Sequence, residues 1–323
     1  MLLQLRVTVP ADRTDRVREL FENDPGTAHL AVLPGAAVEP AGDLVLADVA
    51  RESADGLVAA LRELGIDRDG GIAIVSVDAA VSSAARRAEE RAPGDAADAV
   101  VWEQVLRTVD ADSRLSVSYL AFLTIALLIA AAGLLTDSPI LIVGAMVLGP
   151  EFSPLAGLAV AAVHRRPRIA RHSAVSLVAG FVVAIAVTAL AALAGRWLGW
   201  FDPDVLGADR PATGFITQPD RWSLLVAVLA GIAGVLSLTS TKSGALVGVF
   251  ISVTTVPAAG EMGLSLALGR SAEFASAATQ LGVNLAGILV AATATLALQY
   301  SLWHHVPRAV PHLDRVGRAE QRA

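Results

Sequence analysis

The sequence predicts an α+β protein: an N-terminal ferredoxin-like domain (βαββαβ) followed by a six-helix transmembrane domain with a 3+3 inverted repeat and two broken helices. Three observations lead there. Hydrophobic residues make up 54% of the chain and mean hydropathy is +0.58, with the charges gathered outside long apolar runs. Residues 1–80, by contrast, switch between the apolar periods of strands and of helices. Two of the apolar runs look alike, and each carries a single glutamate and at least one internal proline.

In the first domain LLQLRVTV reads as a strand, and DRTDRVRELFEN as an amphipathic helix with Val17, Leu20 and Phe21 on one face. HLAVL reads as a second strand closed by Pro34-Gly35, and DLVLADVA as a third. SADGLVAALRELG follows as a helix with Ser53 as its N-cap and Gly65 as its stop, and GIAIVSV is the fourth strand. Such a sandwich serves as a regulatory ligand-binding domain or as an assembly module, and the fold does not choose between them. Residues 81–114 are charged, alanine-rich and interrupted at Pro93-Gly94, with an apolar stripe at Val100, Val101, Val105, Leu106 and Val109. They read as an amphipathic connecting helix on the membrane surface or on the first domain.

The membrane domain covers 115–303, with spans near 115–135, 138–163, 173–195, 222–241, 243–269 and 277–302, followed by a tail at 304–323. Trp197, Trp200 and Trp222 fit an interfacial belt. Placing the first domain in the cytoplasm puts Arg165, Arg166, Arg168, Arg171, Lys242 and the tail arginines inside. The outer arginines (Arg196, Arg210, Arg221 and Arg270) are diluted by six acidic residues. The absence of a cleavable leader pattern agrees, so the expected location is the bacterial inner membrane with both termini cytoplasmic. Small-residue faces, Ala130 to Gly133 and Gly231 with Gly234, point to a homo-oligomer in contact with lipid.

The second span carries Gly149-Pro150-Glu151-Phe152-Ser153-Pro154 near its middle. Two prolines four residues apart beside a glycine must open the helical ladder, and irregular backbone at membrane depth survives only when buried in protein or lining a wet cavity. The fifth span repeats the pattern: Gly144-Ala145-Met146-Val147 against Gly244-Ala245-Leu246-Val247, then Pro257 and Gly260 where the second has Pro154 and Gly157. Three spans separate the two runs, so the halves enter the membrane from opposite faces.

GAMVLGPEFSPLAGLAVAA, together with GALVGVFISVTTVPAAG and NLAGILVA, resembles the two conserved stretches of the bacterial and archaeal membrane family catalogued as domain of unknown function 389. The resemblance covers roughly residues 115–300 and implies the membrane architecture, with a variable N-terminal region in front. It implies no activity.

The candidate binding residues for an ion or small polar solute are Glu151, Ser153, Pro150, Pro154, Thr254, Thr255, Glu261 and Asn284. Ser153-Pro154 reads as the N-cap and first residue of the second half-helix, whose amides would face the break, with a weaker version at Thr255 and Pro257. Glu151 is an intramembrane carboxylate, costly to keep unless it works; Glu261 lies nearer the outer end of its span. Thr279, Gln280 and Asn284 line the cavity or bond between helices, and Lys242, the only lysine, anchors the inner interface. With no cysteine, no phosphate loop and no hydrolase or metalloprotease motif, the sequence predicts no enzyme, no cofactor and no metal site. Its net charge of −6 offers nucleic acid no basic stripe. Two functions stay open: a secondary transporter or channel, and a membrane-anchored sensor or scaffold whose soluble domain binds a ligand or partner.

Overall fold

The structure, a computed structural model, describes residues 1–94, 99–202, 213, 221–240 and 247–305, of which 247–254 and 303–305 as helical backbone. Two compact units divide the chain, the first built on Met1–Val105 and the second beginning at Leu106.

The first unit is a four-stranded antiparallel sheet, β1 (Leu2–Val9), β2 (Thr27–Val38), β3 (Ala41–Ala50) and β4 (Gly71–Ser76), in the order β2-β3-β1-β4. Alternation decides its core. Leu3, Leu5, Val7 and Val9 of β1 and Val45, Ala47 and Val49 of β3 point to one face, where Val17 and Phe21 of α1 (Thr14–Glu22) and Leu57, Val58 and Leu61 of α2 (Arg51–Glu63) cover them. α3 (Ile66–Asp69) is a single turn after Gly65, whose φ of +74° lets the chain leave α2 in a left-handed conformation. α4 (Ser83–Arg91) lies against β2 and β3, and α5 (Trp102–Asp112) follows.

Two local expectations are corrected here. β2 does not close at Pro34-Gly35 but runs on to Val38. It is an edge strand, so the missing proline donor leaves no ladder partner unpaired, and a register shift between Leu33 and Ala37 absorbs the irregularity. Ser53 is not the cap of α2: the helix starts at Arg51 after an extended Ala50, and the Ser53 hydroxyl is buried against Asp24.

The second unit is helical: α6 (Val117–Leu135), α7 (Pro139–Leu148), α8 (Phe152–His164), α9 (Pro167–Trp197), α10 (Arg221–Thr239), α11 (Val247–Leu268) and α12 (Ser271–His305). Among the described residues four helices, α6, α9, α10 and α12, are long and apolar enough to cross a membrane; α7 and α8, bent by 50°, count as a fifth crossing if taken together. The helices leave Phe122, Ile125, Ile140, Val178, Leu190, Leu229 and Leu298 exposed, a surface that suits lipid and not water. Their inner faces share one core, which draws on Leu123 and Leu127 of α6, Ala145 of α7, Leu155 of α8, Phe181 of α9, Ala230 of α10, Val256 of α11 and Ile288 of α12.

The break expected in the second span is present at Gly149–Glu151, where Gly149 is extended (φ −65°, ψ 119°). The one expected at Pro257 is not: α11 runs through it as one helix. A lone proline removes one donor and kinks a helix, whereas Pro150 and Pro154 remove two from adjacent turns beside a flexible glycine, and only there does the ladder fail.

Candidate functional site

Glu151 sits at the junction of α7 and α8, in the N-cap position of α8 (φ −68°, ψ −14°), and is wholly buried. Its side chain reaches α11, where the Thr255 hydroxyl, also fully buried, donates to Glu151 Oε1 at 2.6 Å. That length is typical of a hydroxyl bound to a carboxylate, and such bonds are about twice as strong as neutral ones. Tyr119 belongs to the same core as Ala145 and Leu155, which flank the break.

Glycines set the depth of this pair. A Cβ on Gly260 would stand 3.1 Å from Ala130 Cβ and 3.3 Å from the Leu127 carbonyl, so α11 and α6 touch backbone to backbone there. Further along, Leu264 and Ala267 pack with Ala131 and Leu134, so the two helices run in the same direction. Thr255 precedes Gly260 by five residues, about 7–8 Å of helix rise, which brings it and Glu151 near the middle of α6.

Of the other candidates, Pro150 lies in the break, and its carbonyl accepts from Ser153 N at 3.3 Å. Ser153 is not the cap. The chain regains helical geometry at Glu151, so α8 begins at Phe152 and Pro154 stands third in the helix, where its missing N–H is tolerated. The Thr254 side chain, Lys242, Gly244 to Leu246 of the repeat and the tail from 306 lie outside the described residues. Glu261 is 3% exposed and lies six residues, about 9 Å, further along α11, so it is not brought to the Glu151–Thr255 pair. Asn284 is fully buried on α12, one turn after Gln280, which is 1% exposed and whose amide atoms have no hydrogen-bond partner among the described residues.

Buried hydroxyls of Tyr119, Ser173 and Ser176 were not singled out from the sequence, because isolated serines and tyrosines are ordinary in spans; the spacing of Ser173, Ser176 and Gly180 along one helix face was the available signal. An open cavity of about 310 Å³ lies elsewhere, toward the end of α6, lined by Leu128, Ala132, Ala191, Trp200, Phe201 and Leu264.

The first unit holds an Asp–His–Ser chain: His29 Nδ1 to Asp48 Oδ2 and His29 Nε2 to Ser82 Oγ, both at 2.8 Å. His29 adopts φ +49° at a bulge in β2, which turns its ring onto both partners. Ser82 caps α4, its oxygen accepting from Ala84 N at 3.1 Å and Ala85 N at 3.3 Å. With its lone pairs so engaged, the serine latches α4 to the sheet and is a poor nucleophile.

The fold and site thus define a chain with an α/β unit followed by membrane-type helices that enclose a buried carboxylate. Residues 146–290 match the model of the family described as Domain of unknown function (DUF389), a stretch that includes Glu151, Thr255 and Asn284. The chain is also similar to the uncharacterized protein MJ0678 of Methanocaldococcus jannaschii, with 26% identity over 204 residues, 63% of this chain and 61% of that protein. The match therefore spans less than two thirds of the archaeal relative. No solved structure matches the chain.

Proposed function

We propose that the protein is a multi-pass inner-membrane protein acting as a secondary transporter or channel for an ion or small polar solute, with its binding site at Glu151 and Thr255. The observation that carries this reading is the buried 2.6 Å bond between the two. It joins the interrupted second span to α11, the two runs that the sequence pairs as repeats, and places a carboxylate about half-way along the bundle. Burying such a group is costly, and proteins that keep one at membrane depth generally use it. On this reading α11 is the sixth crossing, α6 to α9 and α10 to α12 are the inverted halves, and both termini are cytoplasmic. The first unit is ferredoxin-like, which its strand order and the helices after β1 and β3 support, and it regulates or assembles a homo-oligomer. The chain performs no enzymatic step and needs no cofactor.

Purified protein in proteoliposomes, adsorbed on a solid-supported membrane and given proton, sodium or potassium concentration jumps, tests this. A transient current that Glu151→Gln abolishes is the expected result. Silence of the wild type under all three overturns it for those ions, and radiolabelled small-solute uptake with the same mutant then decides the remainder.

A second reading is favoured by one observation: Glu151 and Thr255 are both sealed from solvent. If the spans only anchor and the soluble unit senses, a metabolite screen on the full chain will raise its thermal stability, and Glu151→Gln will leave that shift unchanged.

A further inference from the structure

We propose that protons reach Glu151 along a water-bridged row of buried hydroxyls, Ser113, Ser173, Ser176 and Tyr119, that begins where α6 begins. The inference deepens the transport reading by naming the proton as the ion, and it rests on that reading for its end point at Glu151.

All four residues are buried, at 1%, 0%, 0% and 6% exposure, and none of their hydroxyls has a partner among the described residues. Helical hydroxyls in this unit ordinarily solve the problem locally: Thr136, Thr188 and Thr293 each donate to the carbonyl four residues back at 2.7–2.8 Å. Ser173 and Ser176 have the same option and do not take it. A buried hydroxyl without a protein partner is expensive, and the usual remedy is an ordered internal water.

The four are contiguous. A Cβ on Gly157 would collide with Ser173 Oγ and stand 3.0 Å from Ser113 Cβ, so both serines flank the same point on α8. Ser176 lies three residues after Ser173 and four before Gly180, on one face of α9. At Gly180 the Tyr119 ring fills the space of a side chain, with Oη 3.1 Å from where a Cβ would be. Tyr119 shares its core with Leu148 and Phe152, which stand on either side of the break at Glu151. Neighbours three or four apart on a helix face stand about 5–6 Å apart, two hydrogen-bond lengths, which one water bridges. At the start of the row His172 Nδ1 is 3.7 Å from Asp110 Oδ1, both side chains are partly exposed, and Arg114 holds the Asp110 carboxylate with a bond of 2.6 Å and keeps its pKa below the ordinary value.

This chemistry selects a proton. Each step offers one or two hydroxyls between apolar walls such as Leu123, Leu177 and Phe181, whereas a dehydrated metal cation needs about six or more oxygens at once.

The chain contains no cysteine, so single substitutions report without background. Ser173→Cys, Ser176→Cys and, as an equally buried control packed on α10, Ile288→Cys are reconstituted in vesicles and exposed to Ag⁺, and the surviving thiols are counted with maleimide after denaturation. The thiols at 173 and 176 are expected to react at least about tenfold faster than that at 288, whose exposure requires local opening. In parallel, proton uptake is followed with an entrapped pH dye, and Ser176→Ala and Tyr119→Phe are expected to slow it about tenfold. If the three thiols react alike, or if both variants take up protons at the wild-type rate while Glu151→Gln stops uptake, the row is overturned and the transport reading stands. If silver enters along the row while the wild type takes up no protons, the row is wet but the proton role and Glu151 as a transport site are refuted.

Discussion

Thr255→Val removes one hydroxyl and almost no volume, so it isolates the bond to Glu151. A hydrogen bond to a charged group is worth about 1.5–3 kcal/mol, and because both partners are fully buried, no solvent replaces the lost donor. The unfolding equilibrium is therefore expected to shift by a factor of roughly 10 to 150. In the Glu151→Gln background the acceptor is neutral, and the same substitution should cost only about 0.5–1.5 kcal/mol. The assay is SDS-driven unfolding in mixed micelles of the four proteins of this double-mutant cycle. A coupling of about 1 kcal/mol or more is expected; agreement of the two backgrounds within about 0.3–0.5 kcal/mol, the spread of independent sites, refutes the charged bond.

Gly157→Ala drives a methyl into Ser173 Oγ and should destabilise by about 1–3 kcal/mol, while Gly144→Ala, with open space around it, should be neutral or slightly stabilising; the same unfolding assay ranks them. Ser82→Ala removes the α4 cap and should cost about 0.5–2 kcal/mol, seen as faster amide exchange over residues 83–91. Burial pushes the Asp24 carboxyl above its ordinary value of 3.8. Below that value both folded and unfolded states are protonated; as pH rises past it the unfolded state ionises first, so folding is progressively penalised until the folded pKa is passed. Asp24→Asn, which keeps an acceptor for Gly26 N, should therefore gain stability relative to wild type on going from acid to neutral pH, measured by denaturant titration at both. An equal difference at both pH values would exclude the burial penalty.

Periodicity was enough for the sheet and for the apolar helices. Leu3, Leu5, Val7 and Val9 announce a strand with one buried face wherever they fold, and Val117–Leu135 has no charge to offer water. The failure of the helix at Gly149–Glu151 was equally legible, since two missing donors and a glycine are properties of the chain alone. Position was not legible. Whether Pro257 breaks or merely kinks its helix depends on packing, and α11 is pinned at Gly260 against α6 and at Gly263 against Thr188, which holds it in one piece. That Glu151 would meet Thr255 across 104 positions, and Glu261 would not, is decided by the register of touching helices, which composition does not encode. The sequence by itself thus determined which segments are strands, which are apolar helices and where one must open, because these follow from local hydrogen bonding and hydropathy. Only the tertiary structure decided which polar groups share the interior, because that depends on glycine contacts that set how helices slide and rotate against one another.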